Sequence, residues 1–294
     1  MKFILAIIFQ WSWIVLNAQD LPKTNLYAIY LEDASSSDWH VNRIEFLNSF
    51  NLSSYNNQPF FINDDEVLCS VQTKTSDNTD IYKLNLSKQT YINLIQNIGK
   101  DYSPRINPKI SFDITCVHID PKDTIQKLVA FNSQNGSFKK VILDKVGQIG
   151  YYRLIDNDLW ACFLVDSPNN LMAICNSKTK EKKIFASNIG RTFEAISNNE
   201  ILFVHKILED QWILKSYNIE TQKMITLSNM PLHSEDFLID AKGRIICTND
   251  SKIMYYNNNN AHWEVLLNLQ SLGISHLGRL ALKNNILILV DEVK

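Results

Sequence analysis

One short apolar segment recurs along the chain at nearly constant spacing. Val67-Leu-Cys-Ser-Val71 is followed by Ile114-Thr-Cys-Val-His118, Leu159-Trp-Ala-Cys-Phe163, Ile201-Leu-Phe-Val-His205, Arg244-Ile-Ile-Cys-Thr248 and Ile286-Leu-Ile-Leu-Val290. The starts fall 47, 45, 42, 43 and 42 residues apart. A second recurring run, Asp80-Ile-Tyr-Lys-Leu-Asn-Leu86, has counterparts beginning at Gln126, Asn170, Gln211 and Ser251. A further strand pattern follows at residues 91–96, 137–143, 183–187, 222–227 and 263–269. Between the runs lie Asn, Ser, Lys, Asp and occasional Gly, the chemistry of short hairpin turns. Four strands in a unit of about 45 residues is the signature of a β-propeller blade.

The first complete unit spans residues 55–96, and four more complete units follow it. The sixth stops soon after Ile286-Leu-Ile-Leu-Val290, with no third or fourth strand. Two strand patterns stand unassigned near the start, Asn25-Leu-Tyr-Ala-Ile-Tyr-Leu31 and Val41-Asn-Arg-Ile-Glu-Phe-Leu47. The surplus fits the deficit. The expected fold is all-β, a six-bladed propeller whose last blade takes its inner strands from the C-terminus and its outer strands from the N-terminus. Such closure removes open sheet edges, which are an aggregation hazard.

Residues 1–18 read as a secretory signal peptide, with Lys2 ahead of an apolar run and Ala18 before Gln19. The run is about 14 residues, short of the ~20 that a spanning helix needs. Residues 19–294 form the propeller, in the periplasm or outside the cell, as an expected monomer. Five cysteines at 69, 116, 162, 175 and 247 are an odd number at wide spacing. They read as buried thiols inside strands rather than as a disulfide framework. With a net charge of −2 and scattered Lys and Arg, the chain lacks the basic footprint of a nucleic-acid binder.

Several stretches carry a resemblance. Asn57-Gln-Pro-Phe-Phe-Ile-Asn-Asp-Asp65 precedes Val67-Leu68 and Thr79-Asp-Ile-Tyr-Lys83. Asp101-Tyr-Ser-Pro104 leads to Ile106-Asn-Pro108, and Ser234-Glu-Asp-Phe-Leu-Ile-Asp-Ala-Lys-Gly243 keeps a turn glycine. This pattern resembles the TolB-like propeller repeat, and it runs through residues 19–294. The chain looks like the single-domain TolB-like propeller proteins exported by Bacteroidetes-type bacteria, rather than full-length TolB with its extra N-terminal domain. The resemblance implies a fold; function has to be read from a site.

In a propeller the first strands line a central channel, so the loops leading into them frame the default ligand site. Those positions hold Gln58, Asp101, Ser103, Tyr151, Tyr152, Arg191, Thr192, Glu235, Asp236, His276 and Arg279. The set is polar and mixed in charge, with Arg191 and Arg279 placed to pair with Glu235 or Asp236. Neither a Gly-x-Ser-x-Gly turn nor a His-x-x-x-His pair occurs. His118 and His205 sit at equivalent places in the repeat, which points to packing. The expectation is a binding or scaffold propeller for a peptide, protein or envelope component, with no cofactor, metal or catalytic residue. The alternative is a propeller hydrolase, calcium-dependent and lactonase-like or carbohydrate-active.

Overall fold

A computed structural model of the chain describes residues 21–107 and 111–294. The signal-peptide segment and Pro108 of the second repeat motif lie outside the described residues. Among the described residues there are six four-stranded antiparallel sheets and two short 3-10 turns.

Blade 1 is Tyr55–Phe61, Glu66–Gln72, Asp80–Asn85 and Thr90–Ile95, from the innermost strand outward. Blade 2 is Lys100–Asn107, Ser111–Ile119, Gln126–Phe131 and Phe138–Leu143. Blade 3 is Gln148–Asp156, Leu159–Val165, Leu171–Asn176 and Lys182–Ser187. Blade 4 is Ile189–Ser197, Glu200–Leu208, Gln211–Asn218 and Met224–Asn229. Blade 5 begins with a strand of only three residues, Phe237–Ile239, then Ile245–Asn249, Lys252–Asn257 and His262–Asn268.

Blade 6 is composite, as expected. Leu277–Lys283 and Ile286–Glu292 are its inner strands, and Thr24–Leu31 and Val41–Phe46 its outer ones. Thr24–Leu31 pairs with Ile286–Glu292 without a break, from Thr24–Glu292 to Tyr30–Ile286. Most strands fall within a residue or two of the sequence pattern, and the second strands of blades 2 and 4 run three residues beyond it, starting at Ser111 and ending at Leu208. In blade 4 the outermost begins at Met224 because Gln222 belongs to the preceding turn, with φ +58°.

Burial explains the repeat. The second strands are apolar on both sides because each is sandwiched between blades, and Val67, Leu68, Cys69, Ser70 and Val71 are all buried. Outermost strands carry more exposed positions, as in Phe138–Leu143, whose first four residues are exposed. Six apolar clusters lie between successive blades, and one of them joins Leu26, Ala28, Ile288 and Val290 of blade 6 to Val67, Cys69 and Leu84 of blade 1. Six interfaces for six blades make a closed ring. All five cysteines are buried and free.

The turn at Gly136 is a point of close approach. Its φ is +68°, and a Cβ there would lie 1.8 Å from the Leu94 carbonyl oxygen of blade 1. Gly136→Ala is therefore expected to cost at least about 2 kcal/mol, from backbone strain plus the clash. Urea unfolding checks it; a midpoint within error of the wild type would contradict the packing.

Candidate functional site

Strand alternation alone would send every second residue of an inner strand into the channel. The inner strands break that rule. Pairing slips between Asn57 and Phe60, Tyr102 and Arg105, Ile149 and Tyr151, Ile189 and Phe193, and Leu277 and Leu280. Such bulges re-aim side chains. At the first two, Gln58 and Ser103 take φ +58° and +55°, values that non-glycine residues seldom adopt and that carry strain. The other three slips hold Gly150, Gly190 and Gly278.

The bulges build a narrow waist of about 70 Å³, to which every blade contributes. Gln58, Ser103, Tyr151, Arg191, Asp236 and Arg279 line it, with Phe60, Arg105, Arg153 and Glu194 alongside. Gln58 ties blade 1 to blade 2, its Oε1 accepting from Ser70 Oγ at 2.8 Å and from the Ser103 amide at 2.6 Å.

Two fork-like ion pairs dominate the waist. Arg191 donates through Nε to Asp236 Oδ1 at 3.0 Å and through its terminal nitrogen to Oδ2, while Thr192 Oγ1 donates to Oδ1 at 2.8 Å. Burial alone would raise the Asp236 carboxyl, but Arg191 and then Arg279 outweigh it and hold it well below the usual carboxylate range. Arg153 grips Glu194 at 3.0 and 2.8 Å. Burial opposes the Glu194 charge too, and Arg153 and Arg105 overcome it, so this carboxyl is also lowered. At the rim, Glu235 accepts from Lys206 Nζ at 2.8 Å and from the Arg191 amide at 3.1 Å.

Two guanidinium groups are less committed. Arg105 lies over the Phe60 ring at 5.2 Å and reaches Glu194 only at 3.8 Å. Burial, and then the like charge of Arg153, push it down to about 9. Arg279 lies over the Tyr151 ring at 4.5 Å. Among the described residues it has no carboxylate within ion-pair distance.

The expected site residues therefore divide. Gln58, Ser103, Tyr151, Arg191, Thr192, Asp236 and Arg279 come together at the waist, and Glu235 stands at the mouth. Asp101, Tyr152 and His276 line neither cavity. Asp101 is fully buried, accepting from Asn97 Nδ2 at 2.6 Å and facing His118 Nδ1 at 2.9 Å. Tyr152 is also buried and donates its hydroxyl to the Ser103 carbonyl at 2.9 Å. His276 Nδ1 lies 2.9 Å from Ser275 Oγ. Phe60, Arg105, Arg153, Glu194 and Lys206 were not singled out from sequence. Four of them lie two residues beyond a named waist residue, in Gln58-x-Phe60, Ser103-x-Arg105, Tyr151-x-Arg153 and Thr192-x-Glu194, and that spacing was the signal for them.

The waist opens at both ends. On the side of the loops leading into the inner strands, a mouth of about 490 Å³ is walled by Tyr55, Tyr102, Tyr151, Phe163 and Val165, with Lys206 and Glu235. On the other side a cavity of about 280 Å³ lies among Phe60, Arg105, Glu194, Leu238 and Lys283. Among the described residues no group of three His, Cys, Asp or Glu side chains is placed to hold a metal ion. No helix among them is long and apolar enough to cross a membrane.

No family model matches the chain, and a search of curated proteins finds no relative. Solved structures do match. A candidate TolB from Agrobacterium tumefaciens superposes with a TM-score of 0.64 at 8% identity, over 93% of this chain and 99% of that one. The fold is that of the TolB-type propellers. An oligogalacturonate lyase in complex with manganese shares this propeller fold, with a TM-score of 0.53 at 14% identity over 87% of this chain and 84% of that one. A chain of the nidogen/laminin complex does so too, at 0.57 and 10% identity over 84% and 94%. The propeller fold thus occurs in a lyase and in a chain of a protein complex, so the channel residues have to carry any reading of function.

Proposed function

We propose that the chain is an exported, non-catalytic binding propeller that takes a segment of a protein partner into its loop-side mouth. The observation that carries this reading is the mouth itself, an open concavity of about 490 Å³ with aromatic walls and charged groups at its edge. Aromatic side chains and arginine around a concavity are what protein interfaces favour. The carboxylates of the waist and rim are each held by a cation, Asp236 by Arg191, Glu194 by Arg153 and Glu235 by Lys206. Groups held this way are poorly placed to act as general base or nucleophile. The likeness to a nidogen/laminin chain adds that this fold serves in protein complexes. The signal-like residues 1–18 support a location in the periplasm or outside the cell.

Photo-crosslinking tests the reading. A crosslinking residue at Val165, in the mouth, is expected to trap a discrete partner from an envelope extract. One at Ile225, on the exposed outermost strand of blade 4, is not. Excess unlabelled protein should compete, and excess Gln126→Trp protein, its mouth narrowed, should compete less well. Equal trapping at both positions, or equal competition by the narrowed variant, would overturn the proposal.

A further inference from the structure

The waist carries more positive charge than its own carboxylates use. Arg105, Arg153, Arg191 and Arg279 line it against Glu194 and Asp236, and each carboxylate is already gripped by one arginine. That leaves two guanidinium charges over, in a chain whose net charge is −2. Leaving cations in a confined site without counter-charge is costly. The depressed pKa of Arg105 expresses that cost.

A second observation is independent of the charge count. Ser103 is 8% exposed, lines the same waist, and its hydroxyl has no hydrogen-bond partner. Buried polar groups are nearly always satisfied, and exceptions at a cavity point to a missing partner. Ser103 is also one of the two residues held in the left-handed backbone region where the inner strands bulge. Strain of that kind persists where the surroundings impose a particular side-chain placement.

We propose that the waist binds a single oxyanion, a carboxylate or phosphate group, held by Arg105 and Arg279 with the Ser103 hydroxyl donating to it. Arginine suits this role, because its planar fork matches both anions. A space of about 70 Å³ admits the anionic group and little else, so the rest of the ligand lies in the mouth. The inference deepens the proposed function by naming the chemistry of the bound segment, and it rests on the channel being the binding site.

Isothermal titration of the purified protein with inorganic phosphate and, separately, with acetate tests it. At least one anion should bind at a single site with a Kd below about 10 mM, and the tighter of the two identifies the source. Arg105→Met with Arg279→Met should weaken that binding about a hundredfold, from two lost charge-assisted bonds. Melting should fall little, because Glu194 keeps Arg153 and Asp236 keeps Arg191. Ser103→Gly, which suits the left-handed backbone, should weaken binding about tenfold. Absence of binding to the wild type, or undiminished binding to both variants, would overturn the inference. Crosslinking at Val165 reads the partner separately, so a failed titration with intact crosslinking removes this inference and leaves the binding propeller standing.

Discussion

Deleting residues 21–47 is expected to abolish cooperative unfolding and leave the chain aggregated. The segment supplies both outer strands of the composite blade. Leu26, Ile29, Leu31 and Trp39 on it are 0–4% exposed. At about 2 kcal/mol for each large apolar side chain, their burial contributes roughly 8 kcal/mol, comparable with the whole net stability of a domain. The segment is also sewn to both neighbouring blades. Toward blade 1, Thr24 Oγ1 donates to the Asn56 carbonyl at 2.7 Å, and Asn56 Nδ2 donates to the Thr24 carbonyl at 2.9 Å. Toward blade 5, the Trp39 amide donates to the Leu266 carbonyl at 3.0 Å, and Arg244 donates to the Ser36 and Ala34 carbonyls at 2.6 and 2.5 Å. Without it, Ile286–Glu292 becomes an unpaired apolar edge, the kind that recruits other chains. Circular dichroism melting and size-exclusion chromatography check this, and a sharp melt from a monomeric deletion protein would refute it.

Arg191→Met should destabilise the fold by about 3 kcal/mol at pH 7, because breaking a buried pair leaves Asp236 without a hydrogen-bonded cation and facing only the more distant Arg279. The figure is at the low end for such pairs because the Arg191 side chain is 37% exposed, although Asp236 is only 5% exposed. The effect has a definite pH dependence. Asp236 is lowered in the folded state, so on acidification the unfolded chain takes up the proton first and stability falls. The contribution of the pair is therefore complete above the ordinary aspartate pKa of about 3.9 and is lost as pH falls below it. The stability gap between wild type and Arg191→Met should be widest near neutrality and narrow below about pH 4. Adding Asp236→Asn to Arg191→Met should cost less than the two single changes together, since the second removes the charge that the first strands. A gap that is constant down to pH 3 would show that the pair is not what the substitution removed.

The architecture was legible because blade burial is periodic in the chain. Second strands sandwiched between blades need continuous apolar runs, and Val67 to Val71 or Leu159 to Phe163 supply them at a spacing that loops hardly perturb. Closure was legible because a half-blade surplus and a half-blade deficit lie at opposite ends. The site was legible only in part. Tyr151 and Tyr152 are neighbours with nothing in their chemistry to part them, yet one faces the waist and the other is buried among Val117, Leu128 and Trp160. The bulge at Gly150 decides which is which, and its register depends on pairing with Leu159–Val165 rather than on any local pattern. Arg105, Arg153 and Glu194 escaped for the same reason. They stand at the end of a slip or within two residues after it, and their facing is fixed only once the slip has been placed.

The five thiols have a use that packing alone does not suggest. Cys69, Cys116 and Cys247 lie on the second strands of blades 1, 2 and 5, and Cys162 and Cys175 on adjacent strands of blade 3. None forms a disulfide, and burial pushes the thiols of Cys69 and Cys247 up, away from the reactive thiolate. Each sulfur is buried and stays out of a reagent's reach until its own blade parts from a neighbour. The ring thus carries built-in clocks in four of its six sectors, and the order in which an alkylating reagent finds them is the order in which those sectors breathe.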